Sequence, residues 1–189
     1  AAAMRAVLGL EPNAFLNEAH AAFEAAAAPV LAERRRASDI AEPLLHRETT
    51  GAAVNIAPSL APDGRRIAFL STRALDLELY LADGETGEVI ERLVRAEADP
   101  HFESLSFIDS SVAWSPDGRQ FAFAVFARGQ RAIALYDLSR RRVVRRIDLP
   151  GIGDMRHPAF FPDGRSIVFS AISGAASDLY RLDLESGDI

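Results

Sequence analysis

A tripeptide that recurs at wide intervals constrains the fold of this 189-residue chain more than any other feature. Proline presets the backbone for a tight turn, aspartate suits the next position, and glycine accepts the positive φ that completes the turn. Each copy is therefore predicted to be the turn of a β-hairpin. The copies, separated by 54 and 46 residues, are Pro62, Asp63 and Gly64, then Pro116, Asp117 and Gly118, and then Pro162, Asp163 and Gly164.

Two strand-like runs follow every copy of the tripeptide. The first is a short apolar run, and the second reaches an aspartate 21 residues past the proline in all three copies: Asp83, Asp137 and Asp183. Runs that are apolar on both sides predict strands covered on both faces. A fourth strand is predicted at 89–93 and at 143–147. Four short antiparallel strands in about 45 residues are the pattern of a β-propeller blade.

The predicted fold class is therefore all-β, a partial β-propeller of about three four-stranded antiparallel blades, preceded by a short α-helical N-terminal segment. Residues 55–189 are assigned to the blades, at about 55–97, 106–150 and 151–189, with the last blade truncated. Propellers typically close with four to eight blades. The chain is thus expected to be a fragment, and self-pairing of open blades into a six-bladed ring is the alternative.

The N-terminal quarter of the chain has a different pattern. Residues 1–45 are predicted to be α-helical, as the tail of an upstream domain or a linker arm, with Pro12 at the start of a helix. An apolar stripe that includes Phe15, Ala19 and Phe23 supports that helix. Pro29 interrupts the stripe, and a continuation of the helical pattern over residues 31–36 is left open. Residues 46–54 are predicted to be a linker.

The repeated segment resembles the TolB-like β-propeller repeats, a WD-type family. Residues 114–118 give the family's Trp-Ser-Pro-Asp-Gly signature in full, while Leu60-Ala61 and Phe160-Phe161 replace Trp-Ser in the other copies. The resemblance implies a non-catalytic scaffold for protein–protein interaction, within a larger bacterial protein of the periplasm or cell envelope.

The order of helix, linker and blades also resembles a bacterial arrangement in which a gluzincin-like metallopeptidase domain of the MA type precedes a TolB-like propeller. This second resemblance implies an accessory, substrate-docking propeller of a peptidase whose His-Glu-x-x-His motif lies upstream of Ala1. A prolyl-oligopeptidase-like serine peptidase, with Gly-x-Ser-x-Gly downstream, is the less favoured alternative. Neither motif occurs in this chain, so catalytic residues are predicted to be absent from it, and whether the parent protein is an enzyme stays open.

Composition excludes several kinds of site. A net charge of -6 at pH 7 argues against a nucleic-acid partner. Cysteine and lysine are absent, which removes thiolate and Schiff-base chemistry. The four histidines do not pair at metal-ligand spacing, so no metal and no cofactor are predicted. No apolar run is long enough for a membrane span, and the first residues do not make a signal peptide.

Two segments are candidates for contact with a partner. His101, Phe102 and Glu103 lie in an insertion of eight residues between the first two turns, and they are the predicted protein contact. The partner would be another protein or an upstream domain of the same chain. The arginine run at 140–142 with Arg145 and Arg146 suits either an acidic partner or a solvated edge strand that opposes unwanted pairing.

Overall fold

The computed structural model describes residues 9, 11–35, 37–74, 76–94, 104–105 and 112–189. They belong to two compact units, the first ending at Pro43 and the second running from Leu44 to Ile189. In the first unit, helix α1 spans Pro12–Ala32 and starts with proline in its first turn, as predicted. Pro29 lies inside the helix, which continues past it to Ala32, so the open alternative of a continuation is the one that the structure has. Proline removes one backbone hydrogen bond, which a helix tolerates as a kink near its end.

The second unit begins with a one-turn helix and continues as strands. Helix α2 spans Arg47–Thr50, within the stretch expected to be a linker. Blade 1 consists of β1 (Asn55–Leu60), β2 (Arg66–Ser71), β3 (Glu78–Asp83) and β4 (Val89–Val94). Blade 2 consists of β5 (Ser104–Leu105), β6 (Ala113–Trp114), β7 (Gln120–Ala127), β8 (Gln130–Asp137) and β9 (Arg142–Asp148). Blade 3 consists of β10 (Met155–Phe160), β11 (Ser166–Ser173) and β12 (Ala176–Asp183).

Every strand pair described is antiparallel, and except for β5 with β7 the paired strands are consecutive in sequence. Blade 1 has the order β1-β2-β3-β4 and blade 3 the order β10-β11-β12. In blade 2, both β5 and β6 pair with β7, which continues to β8 and β9. These sheets confirm the predicted all-β fold with antiparallel blades after a helical segment.

The apolar core lies between blades, because adjacent sheets bury the faces with which they meet. We call the side of a blade that meets the following blade its back face, and the opposite side its front face. Leu70 and Leu79 on the back face of blade 1 pack with Phe123 and Tyr136 on the front face of blade 2. The same contact recurs between blades 2 and 3, where the shared cluster includes Ile133 and Phe169. The continuous apolar runs of blade 2 therefore belong to a sheet that is covered on both sides.

Candidate protein-interaction surface

The Pro-Asp-Gly turns are closed by bonds within each turn. The Oδ1 atoms of Asp63, Asp117 and Asp163 accept hydrogen bonds from the backbone N–H two residues later, at 2.9, 3.1 and 2.9 Å. The glycines that follow have φ between 65° and 70°, which explains why this position is glycine. The three aspartates thus serve their own turns and do not converge on a common site.

A second row of turns follows β3, β8 and β12, one turn in each blade. Asp83 Oδ1 accepts from the backbone of Glu85 and Thr86 at 2.9 and 2.8 Å, and Asp183 makes the equivalent bonds in blade 3. Asp137 accepts from the Ser139 hydroxyl at 2.6 Å.

The two rows of turns lie at one end of the blades, which we call the turn end. Backbone hydrogen bonds of 2.7 to 3.1 Å join them, from Gly84 to Arg65, from Leu138 to Arg119 and from Leu184 to Arg165. Among the residues that the structure describes, no group of three potential metal ligands converges, at the turn end or elsewhere.

The turn bonds stabilise the ionised carboxylates. The Ser139 hydroxyl and the backbone N–H of Arg140 lower the pKa of Asp137 from 3.8 to about 2. Backbone hydrogen bonds lower the pKa of Asp63, Asp83 and Asp183, and the Ser115 hydroxyl lowers that of Asp117.

Acid is expected to destabilise the blades because of these depressed pKa values. The stabilisation of the folded state by the ionised aspartates is fully present above pH 4. It is lost as the pH falls toward the folded-state pKa, which is about 2 for Asp137. Thermal melting followed by circular dichroism from pH 5 to about pH 2 measures the loss. Asp137→Asn keeps an oxygen for the turn and removes the titrating group, so its melting temperature should fall less steeply over that range. Equal slopes for the two proteins would contradict this role of Asp137.

Arginines join neighbouring blades at several places. Arg66 Nη2 donates to the Gly118 carbonyl at 3.2 Å, and its guanidinium lies 5.5 Å from the centre of the Trp114 ring. Trp114 Nε1 in turn donates to the Ser59 carbonyl at 3.0 Å. These contacts fix the turn of blade 1 against the start of blade 2.

The arginine run on the outer part of blade 2 also contacts the neighbouring blades. Arg141 forms an ion pair with Glu91 of blade 1, and Arg145 donates to the carbonyls of Leu184 and Glu185 of blade 3. Arg141 has φ 53° at the position where blades 1 and 3 have glycine, so this turn keeps its shape with an arginine in a left-handed conformation. Both arginines thus link blade 2 to its neighbours.

A segment ahead of the first strand covers the front face of blade 1. We call this segment, Leu44–Ala52, the cap. Leu44 and Leu45 pack against Phe69 and Tyr80. At the other end of the cap, the Thr50 hydroxyl accepts a hydrogen bond from Asn55 at 3.1 Å. The cap therefore occupies the side of blade 1 that corresponds to the blade contacts of Phe123 and Phe169.

A cavity of about 340 Å³ remains between the cap and β1. Its lining is apolar except for one amide, and consists of Leu44, Leu45, Asn55, Ile56, Pro58, Ile67 and Phe69. Sequence reasoning missed both the cap and this cavity, because it treated 46–54 as a linker. The signal was the pair of leucines immediately before that stretch.

An ion pair lies on the same front face, toward the outer strands. The Glu78 side chain is nearly buried, and its Oε2 accepts from Arg92 at 3.0 Å and from the Tyr80 hydroxyl at 3.1 Å. Burial raises the pKa of Tyr80, and the hydrogen bond to Glu78 raises that of Arg92. Both shifts keep the proton on the donor, so this group holds β3 and β4 together.

The predicted contact residues His101, Phe102 and Glu103 lie outside the described residues. The next two residues, Ser104 and Leu105, form β5 and pair with Phe126 and Val125 of β7.

The histidines that the structure describes are separated from one another. His20 lies beside Glu24 on α1 at 3.2 Å, His46 precedes α2, and His157 has φ 52° at a bulge in β10. The structure thus brings no pair of these side chains to one element. Neither α1 nor α2 is long and apolar enough to cross a membrane.

Solved structures share this arrangement of blades. TolB from Acinetobacter baumannii matches with a TM-score of 0.58 and 28% identity, over 71% of this chain and 31% of that one. A putative TolB from Agrobacterium tumefaciens matches with a TM-score of 0.57 and 19% identity, over 72% of this chain and 46% of that one. Hydrazine synthase from Kuenenia stuttgartiensis shares the fold at a TM-score of 0.51 and 16% identity, over 69% and 39% of the two chains. The chain thus spans less than half the length of each of these structures.

The sequence itself matches a known family over most of its length. A family profile described as the TolB beta propeller domain covers residues 49–189, which include all three blades. The Pro-Asp-Gly turns and the strands that follow them lie within the matched region. This chain therefore belongs to the TolB beta-propeller domain family.

Proposed function

We propose that this chain is a non-catalytic β-propeller scaffold for protein–protein interaction, within a larger bacterial protein of the periplasm or cell envelope. The observation that carries the proposal is the joining of the three blades into one stack by Arg66, Trp114, Arg141 and Arg145. A rigid stack that presents loops is the usual support for a binding surface. Membership of the TolB propeller family and the likeness to TolB structures support the same role.

Length supports the view that the scaffold is part of a larger protein. This chain covers 31% and 46% of the two TolB structures that it matches. The parent protein would add further blades or domains, and its partners would be bound by the assembled propeller. The periplasmic or envelope location comes from the resemblance to TolB-like proteins.

His101, Phe102 and Glu103 are the proposed contact with a partner. They belong to the insertion that lengthens the first repeat interval to 54 residues, against 46 for the second. Segments inserted between the elements of a rigid support commonly carry binding residues. An aromatic side chain flanked by two polar ones suits a protein contact, because aromatic residues are enriched at such sites.

Phe102→Ala is expected to reduce capture of a specific partner by at least about tenfold, as loss of an aromatic anchor does. The purified chain is immobilised, exposed to a bacterial envelope extract, and the bound proteins are quantified by mass spectrometry. Phe23→Ala is the matched control, because Phe23 is 78% exposed on α1 and undergoes the same chemical change. Equal capture by the wild type and Phe102→Ala would overturn the assignment of the contact. Failure of the wild type to capture anything above the bare support would count against the scaffold function.

A second candidate function is an accessory propeller that docks substrates for a peptidase. The separate N-terminal unit favours it, because no residue of α1 is buried and Leu16, Phe23 and Val30 are 61, 78 and 54% exposed. A helix with exposed apolar side chains is suited to pack against a neighbouring domain of the parent protein. That domain would be a zinc metallopeptidase upstream or, less favoured, a serine peptidase downstream. The full-length parent protein is assayed for hydrolysis of casein, with and without a zinc chelator. No hydrolysis, with no His-Glu-x-x-His motif upstream and no Gly-x-Ser-x-Gly motif downstream, would exclude this role.

A further inference from the structure

We propose that the junction of blades 2 and 3 holds a binding site for one guanidinium group, and that its occupant is an arginine side chain of a partner protein. The guanidinium site follows from the repeat, whereas the choice of a protein as its source rests on the proposed scaffold function. The site is a cleft at the turn end, between two neighbouring Pro-Asp-Gly turns.

The equivalent position between blades 1 and 2 is already filled by an arginine of this chain. Arg66 Nη2 donates to Asp63 Oδ2 of its own turn at 3.1 Å and to the Gly118 carbonyl of blade 2 at 3.2 Å. The Arg66 guanidinium also lies 5.5 Å from the centre of the Trp114 ring. A carboxylate, a carbonyl and an aromatic ring thus contact one guanidinium, whose planar set of donors suits all three.

The junction of blades 2 and 3 repeats this arrangement without the arginine. Gln120 stands four residues after its Pro-Asp-Gly proline, where blade 1 has Arg66. Gln120 Nε2 donates to Asp137 Oδ2 at 3.3 Å, so this side chain binds within its own blade. It does not bridge to blade 3 as Arg66 bridges to blade 2.

A cleft of about 420 Å³ remains at this junction. Among the residues that line it are those that correspond in the repeat to the three partners of Arg66, namely Asp117, Phe160 and Gly164. Phe160 and Gly164 are half-buried, whereas the equivalent residues that Arg66 contacts are buried. The cleft therefore presents the partners of a guanidinium and lacks the guanidinium itself.

Space and an acceptor are both available at Gly164. No residue that the structure describes donates a hydrogen bond to the Gly164 carbonyl. A Cβ atom added at Gly118 would lie 3.4 Å from Arg66 Nη2, whereas one added at Gly164 would meet only the Pro116 Cδ within 4 Å, at 3.7 Å. The volume that Arg66 occupies in the first junction is thus open in the second.

The carboxylate of Asp117 is ionised and held in place. Its Oδ1 accepts from the Ser115 hydroxyl at 2.6 Å and from the Arg119 N–H at 3.1 Å. These bonds lower the pKa of Asp117, and Oδ2 remains for a donor in the cleft. Asp163 also lines the cleft and adds a second negative charge, so the site favours a cation.

An arginine side chain of a partner protein matches these features. A guanidinium stacks on an aromatic ring while it donates to a carbonyl and a carboxylate, a geometry that the compact ammonium of lysine does not reproduce. Pro116 and Pro162 line the cleft and are exposed, so a side chain of a protein bound at the turn end can enter.

The first experiment is titration of the isotope-labelled full chain with the peptide acetyl-Gly-Arg-Gly-amide, followed by nuclear magnetic resonance. A dissociation constant in the millimolar range is expected, because one exposed ion pair and one ring contact contribute little. The backbone amide signals of residues 117–120 and 161–165 should shift until the site is saturated. The same peptide with citrulline in place of arginine should leave them unchanged, because citrulline keeps the shape of arginine without its charge.

A matched pair of variants tests the carboxylate. Asp117→Asn keeps an oxygen for the turn and removes the charge, so the dissociation constant of the arginine peptide should rise at least about fivefold. Asp63→Asn makes the same change in the turn of blade 1 and should leave that constant unchanged.

Moving the arginine between the two junctions is the sharper test. Gln120→Arg places in the second junction the residue that fills the first, so it should abolish the peptide shifts and raise the melting temperature. Arg66→Gln empties the first junction, and it should create a second peptide site that changes the fluorescence of Trp114. Circular dichroism should show the same strand content in both variants and in the wild type.

Capture from a bacterial envelope extract tests whether the occupant belongs to a partner protein. The immobilised wild type is compared with Gln120→Arg, and untreated extract is compared with extract treated with phenylglyoxal, which modifies arginine side chains. The variant and the treated extract should each give at least about tenfold less of the protein that the wild type captures.

Several results would overturn the proposal. No response to the arginine peptide, or an equal response to the citrulline peptide, would exclude the guanidinium site. Continued peptide binding by Gln120→Arg would place the peptide elsewhere. Equal capture of the same protein by the wild type and Gln120→Arg would exclude a partner arginine at this cleft and leave the scaffold function standing. Capture of nothing by a wild type that binds the peptide would count against the scaffold function and against a protein as the source, with the guanidinium site intact.

Discussion

Trp114→Ala is expected to lower the free energy of unfolding by about 3–5 kcal/mol, the cost of truncating a large buried aromatic residue. Trp114 is 8% exposed, at the contact between blades 1 and 2. Its ring meets Phe121 edge-on at 5.5 Å, and its indole nitrogen donates to the Ser59 carbonyl at 3.0 Å. Truncation would thus open a cavity between the blades and leave the Ser59 carbonyl and the Arg66 guanidinium without this partner.

Urea unfolding followed by far-ultraviolet circular dichroism measures this loss. Fluorescence is unsuitable because Trp114 is the single tryptophan of the chain. Trp114→Phe keeps most of the ring and removes the donor, so it should cost only about 1–2 kcal/mol. Ile90→Ala, at a residue 53% exposed, should change the stability by less than about 0.5 kcal/mol. A loss below about 1 kcal/mol for Trp114→Ala would contradict the role of Trp114 in joining the blades.

Gly87→Ala is expected to destabilise the protein by about 2–4 kcal/mol, through strain and through displacement of the cap. Gly87 has φ 71°, a conformation that costs an L-residue about 1–2 kcal/mol. A Cβ atom at this position would also overlap the Leu44 carbonyl oxygen, so the cap backbone would have to move. Movement of Leu44 and Leu45 would uncover Phe69 and Tyr80 on the front face of blade 1.

Gly187→Ala is the matched control for this prediction. Gly187 occupies the same turn position in blade 3 with φ 83°, but the nearest atom to its added Cβ is the Ile147 Cγ2 at 3.6 Å. Gly187→Ala should therefore cost only the conformational strain, about 1–2 kcal/mol.

Limited trypsin digestion distinguishes displacement of the cap from backbone strain, because Arg47 lies within the cap. Cleavage after Arg47 should accelerate at least about tenfold in Gly87→Ala and stay unchanged in Gly187→Ala. Similar cleavage of both variants would show that the cap does not depend on Gly87.

The turns could be read from the sequence because their chemistry is local. The aspartate of each Pro-Asp-Gly turn accepts a hydrogen bond from the backbone amide two residues later. The tripeptide is therefore sufficient to predict the turn. Local preference does not predict the conformation of Arg141. This residue replaces the glycine of the other blades, yet it adopts the same positive φ. The strands on either side and the ion pair with Glu91 hold this turn in shape.

The helical segment shows the same contrast between features set by local chemistry and features set by tertiary contacts. Pro12 as a helix start was predictable, because a missing N–H is harmless in the first turn. The passage of the helix beyond Pro29 was not, because proline near the end of a helix costs little more than a kink. In the stretch expected to be a linker, Thr50 binds Asn55 across a short turn and anchors the cap, a contact that no periodicity reveals.

The blade repeat, its turns and the strands between them follow from the order of the residues, since each copy repeats the same local preferences. Leu79, Ile133 and Leu179 are nearly equivalent as sequence positions. The first two are buried and the third is exposed because burial depends on which sheet packs opposite, which is a matter of tertiary contacts. Tertiary contacts also place the cap on blade 1, since they join segments whose separation along the chain leaves no periodic signal.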